Sequence, residues 1–189
     1  FAETDILVDM TGWLSPSGAS RLTPIGPTRV VDTRSGVGGV RLAAGQTLTV
    51  DLNGAIPAGS NAVAVNVTAV HAAVPGFLTV FPCTDAIPNT SAVNFVGNEA
   101  RPNNTIVGLS GGRICVFSDA ATDVLVDLVG SFALDGLAYQ PTSPVRVLDT
   151  RRTGTLAAGA VAAYGVGAAA LGSQVPGAAF VNVTAANHV

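Results

Sequence analysis

Two segments place a carboxylate between guanidinium groups: Arg29 to Arg34 reads RVVDTR, and Arg146 to Arg151 reads RVLDTR. An aspartate flanked in this way can accept two-pronged hydrogen bonds from each neighbour. Arg29, Asp32 and Arg34 in the first copy, and Arg146, Asp149 and Arg151 in the second, therefore have one of two uses. They form a site for a sugar or a carboxylate, or they form a structural Asp–Arg network that fixes a turn or a repeat junction. The structural use is expected, because every unit of a repeating protein needs its own junction. Cys83 and Cys115 are the only cysteines. An even count in a secreted chain points to a disulfide, which would stabilise by about 3–4 kcal/mol for a loop of this size. Two buried thiols are the alternative.

Other chemistry is thinly represented. Asp5 and Asp9, like Asp123 and Asp127, are four apart on predicted strands. They share a face but lie roughly 13 Å apart, too far for one such pair to bind a calcium ion unaided. The expected use is as polar face residues or as partners for the arginines. His71 and His188 are the only histidines, and they do not align between copies. No Gly-x-Ser-x-Gly elbow and no Cys/His ligand spacing is present, so neither a hydrolase triad nor a zinc site is expected. No cofactor and no metal are implied, and the chain is not expected to be an enzyme. Asn66, Asn89, Asn103 and Asn182 begin glycosylation-like triplets. They read as structural, with Pro102-Asn103-Asn104 as a turn. Trp13, Phe77, Phe81, Phe95, Phe117, Phe132 and Tyr139 are expected to pack in the core rather than to form a sugar platform.

The elements that position these residues repeat. Thr4 to Leu14 (TDILVDMTGWL) recurs as Thr122 to Phe132 (TDVLVDLVGSF), LAAG recurs at Leu42 and Leu156, and VNVTA recurs at Val65 and Val181. With the RV(V/L)DTR pair, four segments recur in one order with a period of about 117 residues. The stretch between, residues 71–121, occurs once. Residues 1–26 read as the closing strand of a preceding repeat and a linker. Residues 27–134 read as one complete β-sandwich repeat, and 141–189 as the first part of the next.

Period-two alternation marks the strands. In 122–128, Asp123, Leu125 and Asp127 share one face, and Val124, Val126 and Leu128 the other. Further strands are predicted over 46–52, 61–70, 77–81, 92–96, 105–109 and 114–117, with turn signals between them. No segment has helical periodicity, and the Ala-rich stretch 157–170 reads as a strand with loops. The count is about eight strands per period. The predicted fold is all-β, a tandem β-sandwich of jelly-roll or Ig-like type, with a β-trefoil as runner-up.

Composition narrows the function. The 189 residues are 48% hydrophobic and 11% charged, with 22 Gly and 11 Pro. All nine basic residues are Arg, and the net charge is −3, which argues against a nucleic-acid partner. No apolar run is long enough for a membrane helix, so membrane insertion is not expected. So little charge suggests that some apolar surface is covered by neighbouring repeats or by other copies.

The ordered set RV(V/L)DTR, NVT, GFLTVFP (Gly76 to Pro82), SAVNF (Ser91 to Phe95) and DLVGSF (Asp127 to Phe132) resembles a tandem repeat of secreted actinobacterial proteins. That resemblance covers nearly the whole chain. It implies extracellular or cell-surface modules, often attached to cell-wall hydrolases, and no particular activity or ligand. Ser131 departs from it: the family has an aromatic there, and Trp13 holds the place in the first copy. The expected function is a non-catalytic structural or adhesive repeat module, assembling into a filament or array with copies of itself. The alternative is a module that binds carbohydrate or cell-wall glycan.

Overall fold

The structure, a computed structural model, describes residues 20–83, 86–139, 146–163, 177–179 and 181. The chain divides into two units, Phe1–Ala138 and Tyr139–Val189. In the first, eight strands follow one another: β1 (Arg21–Asp32), β2 (Gln46–Asp51), β3 (Ala62–Val70), β4 (Gly76–Pro82), β5 (Val93–Phe95), β6 (Arg101–Gly108), β7 (Arg113–Ser118) and β8 (Asp123–Ala133). They form two antiparallel four-stranded sheets, ordered β1-β8-β3-β6 and β2-β7-β4-β5.

The ladders explain this order. β1 pairs with β8, β2 with β7, β3 with β6 and β4 with β5, so the chain is one antiparallel ribbon doubled back at β4–β5. Pairing of β3 with β8 and of β4 with β7 then rolls the ribbon into two sheets. This is the jelly-roll form of the β-sandwich. The sheets remain separate, and no closed barrel exists among the described residues, which sets aside the trefoil.

Alternation builds the core. Val63, Val65, Val67 and Ala69 of β3 face inward beside Val124, Val126 and Leu128 of β8. Opposite them lie Val50, Leu78, Val93, Phe95, Ile114 and Val116 of the second sheet. Two such inner faces bury each other at the normal sandwich spacing. Outward residues of the central strands are shielded too: Leu125 and Thr68, a cross-strand pair, are buried. A Cβ at Gly130 would stand 2.8 Å from Leu22 Cδ1 and 3.4 Å from the Thr23 carbonyl oxygen, so a side chain there would require the end of Leu22 to shift.

Prolines sit where strands can lose a donor. Pro102-Asn103-Asn104, expected as a turn, lies within β6 and pairs with Val67, Thr68 and Asn66 of β3. β6 is an edge strand, and an edge tolerates a residue without N–H when that side faces out. β1 is the other edge of that sheet, and its register breaks between Pro24 and Thr28. Such breaks blunt an edge against unwanted pairing. The sheet also takes in residues 21–26, expected as linker.

The second unit differs from its sequence counterpart. Its described residues hold a single helical turn, α1 (Thr150–Thr153), and residues 146–149 lie in no ladder. A strand without paired neighbours cannot satisfy its own backbone. The described part of the Ala-rich stretch, 157–163, is turn and coil rather than the expected strand. Trp13, Asp5, Asp9, His188, Asn182 and the closing-strand copy at 4–14 lie outside the described residues.

Candidate functional site

The RVVDTR segment ends β1 and meets the last strand. Register places Arg29 opposite Asp127 on β8. Arg29 Nε donates to Asp127 Oδ1 at 2.8 Å and Nη2 to Oδ2 at 3.0 Å. Its Nη1 reaches Asp32 Oδ2 at 3.5 Å. Asp32 in turn accepts from Arg34 Nε at 2.9 Å, Arg34 Nη2 at 2.7 Å and the Arg34 backbone N–H at 3.1 Å. The result is an alternating row Asp127–Arg29–Asp32–Arg34 along the seam between first and last strands. The Arg34 hydrogen bond, against the opposing effect of burial, holds the Asp32 carboxyl down at about 2. The carboxylates push the Arg29 and Arg34 guanidiniums up.

A second cluster lies one step along β8. Asp123 Oδ1 accepts from Thr33 Oγ1 at 2.9 Å, and Oδ2 accepts from Arg41 Nη1 at 2.7 Å. His71 Nδ1 stands 3.2 Å from Oδ2. Burial pushes the Asp123 carboxyl up, but the Thr33, His71 and Arg41 hydrogen bonds outweigh it and the net shift is downward. Arg41 Nη2 also donates to the His71 and Ala121 carbonyls at 2.8 and 3.2 Å. One guanidinium thus ties three loops together at the end of the sandwich.

Thr33, Asp123 and His71 are residue types that serve in hydrolases, but their order is wrong for nucleophilic attack. The carboxylate stands between hydroxyl and imidazole, whereas a triad needs the imidazole in the middle. The Thr33 hydroxyl also accepts the Val124 N–H at 2.9 Å. Its chemistry is that of a clamp on β8.

The structure brings Arg29, Asp32 and Arg34 together as one network. In the second copy, Arg146 Nη1 pairs with Asp149 Oδ2 at 3.3 Å, and the Arg151 side chain lies outside the described residues. Cys83 and Cys115 form a disulfide with Cα atoms 4.9 Å apart. It joins the end of β4 to β7, strands already paired through Phe81 and Cys115. Phe81 and Phe95 are buried, and Tyr139 is exposed. Phe77 and Phe117 pack at 6.1 Å on the second sheet, away from the Arg–Asp seam on the first. Asn103 Nδ2 donates to the Ala92 carbonyl at 2.6 Å, closing the β6 side of the sandwich.

Sequence reasoning missed Arg41, Thr33 and His71 as partners of Asp123. Position 41 gave no signal, because the residue before the second LAAG is Thr155. Among the described residues, no group of three His, Cys, Asp or Glu could hold a metal ion. No described helix is long and apolar enough to cross a membrane. Comparison of the chain with protein-family models, curated proteins and solved structures finds no match.

Proposed function

We propose that this chain is a non-catalytic structural or adhesive repeat module of an extracellular or cell-surface protein. The observation that carries this reading is the seam: two of the recurring sequence motifs meet there. RVVDTR on β1 binds the aspartates of TDVLVDLVG on β8. Their recurrence is what a chain of units would need if each unit closes its first strand on its last. The ionic side chains are consumed in holding strands, and Coulomb attraction at such half-exposed pairs fixes register more than it adds stability. The disulfide fits an oxidising compartment.

Assembly with like units is supported by exposed apolar side chains. Val37, Val40, Val74 and Val96 lie on the β1–β2, β3–β4 and β5–β6 connections. These connections share one end of the ribbon, where Asn98 N–H bonds the Ala72 carbonyl. Sedimentation velocity over a range of concentrations tests the reading. Growth of larger species with concentration is expected, and a single monomeric species at all concentrations opposes it.

A second reading rests on the outer face of the first sheet. Cross-strand pairing aligns Arg29, Asp127, Asn66 and Asn104 in one polar row. Such a row can hydrogen-bond the hydroxyls of a cell-wall glycan. Pull-down on cell-wall glycan, lost in Asn104→Ala at the exposed end of that row, would favour this reading.

A further inference from the structure

Two open sheets leave four edge strands: β1 and β6 in the first sheet, β2 and β5 in the second. An unpaired edge invites pairing with another chain unless something blunts it. Three of the four are blunted. β1 carries Pro24 and Pro27 and breaks its register with β8. β6 carries Pro102 beside Arg101. β5 is three residues long. β2 has none of these protections. Its sequence, QTLTVD, holds no proline, glycine or lysine, and its register with β7 runs from Gln46 to Asp51 without a shift.

The ladder fixes which backbone groups of β2 are free. Leu52 N–H donates to the Gly112 carbonyl at 3.0 Å, in the register that pairs Val50 with Ile114 and Leu48 with Val116. Hydrogen-bonded positions recur at every second residue of an antiparallel strand, so Val50 and Leu48 bond β7. The N–H and C=O groups of Thr47, Thr49 and Asp51 therefore point away from β7. Among the described residues no backbone hydrogen bond closes them. These three residues are exposed, whereas Val50 lies in the core and Leu48 packs against it.

We infer that the free edge of β2 is a self-recognition site, and that its occupant is β2 of a second copy of this chain, laid antiparallel across a two-fold axis. This rests on the reading that like units assemble. One register is self-complementary. With Thr49 opposite Thr49 of the second copy, Thr47 lies opposite Asp51, and Leu48 opposite Val50. Every free amide and carbonyl of the three residues then sits in a hydrogen-bonded pair, a hydroxyl faces each carboxylate, and apolar side chains meet on the inner side. The two Asp51 carboxylates stand roughly 13 Å apart, so like charges do not oppose each other. A two-residue slide one way puts Asp51 opposite Gly45, whose N–H already bonds the Ser118 carbonyl. A slide the other way puts Thr47 opposite Asn53, whose N–H already bonds Asp51 Oδ1. A one-residue slide sets inner side chains against outer ones. The pairing joins two four-stranded sheets into one. A two-fold contact closes on itself, so β2 makes dimers and growth beyond them falls to the valine-bearing end.

Cysteine pairing in the full chain tests the register, with the native disulfide kept. Thr47→Cys and Asp51→Cys are made as separate variants and oxidised alone and as an equimolar mixture, and the cystines are mapped by mass spectrometry. Opposed positions have Cα atoms about 5.5 Å apart, within disulfide reach, whereas like positions stand roughly 13 Å apart. A cystine between position 47 of one chain and position 51 of another is expected in the mixture, with far less interchain cystine in either variant alone. No such cystine, or equal interchain yields in all three samples, overturns the proposal. Sedimentation reads association separately. Thr49→Pro should weaken it about tenfold or more, because both bonds on the axis are lost while an edge strand tolerates proline where the N–H faces out. Thr49→Lys, which opposes like charges on the axis at an exposed position, should weaken it too, and covers a fold that rejects proline. Unchanged association in both variants overturns the β2 site. Larger wild-type species without the 47–51 cystine would overturn this site and leave the assembly reading standing, whereas absence of any larger species would overturn both.

Discussion

Removing the disulfide gives a quantitative test of what holds the ribbon's tip. Cys83 and Cys115 are separated by 32 positions, and the bond restricts the unfolded chain far more than the folded one. Bridging a loop of that length removes about 12 cal/mol/K of unfolded-state entropy, about 3.7 kcal/mol at 25 °C. The folded state loses little with Cys83→Ala/Cys115→Ala. β4 and β7 remain joined by their ladder, and the closest polar contact, Thr49 Oγ1 at 3.7 Å from Cys115 Sγ, is weak. Urea denaturation should therefore show stability reduced by about 3–4 kcal/mol. The slope should be steeper, because the unbridged unfolded chain exposes more surface. Wild-type protein in reducing agent should reproduce both changes. A loss below about 1 kcal/mol with unchanged slope would overturn this picture, since the unfolded chain would then be restricted by something else.

Three further outcomes follow from the packing and the seam. Leu128→Ala opens a cavity at a fully buried core position and should cost about 3 kcal/mol in urea denaturation. Ser131 Oγ is buried with no hydrogen-bond partner, so Ser131→Ala should raise stability by about 1 kcal/mol, read as a higher melting temperature. The Asp32 carboxyl is held at about 2 against an ordinary 3.8, so the folded state binds this proton more weakly than the unfolded state. Its contribution is complete above the ordinary value and is lost as pH falls toward the folded one. Acid unfolding followed by circular dichroism should show that loss in wild type and a flatter profile in Asp32→Asn.

Much of the sandwich was legible because alternation is a local signal. The 122–128 segment gives its inward valines and outward aspartates directly, and the structure places Val124 and Val126 in the core. The start of β6 reads as a turn because Pro-Asn-Asn has turn chemistry, and only the sheet order shows that this strand lies at an edge. The choice among jelly roll, Ig-like sandwich and trefoil depends on which distant strands pair, a long-range property that periodicity does not carry. The seam was half legible. Arg29, Asp32 and Arg34 declare themselves by repetition, and Asp127 by its charge on a repeated strand. The Asp123 cluster was not, because Arg41 and His71 come from loops that only the rolled ribbon brings together. In the second unit, Arg146 and Asp149 still find each other, whereas residues 146–149 lie in no ladder, unlike their sequence counterparts 29–32 in β1. A local ion pair survives where a ladder partner is missing.

Assembly from like units is decided by negative-stain electron microscopy of the purified protein, under oxidising and reducing conditions. Ordered filaments or sheets under oxidising conditions are expected. Dispersed single particles in both conditions would contradict assembly and make glycan binding to the polar face of the first sheet the better reading.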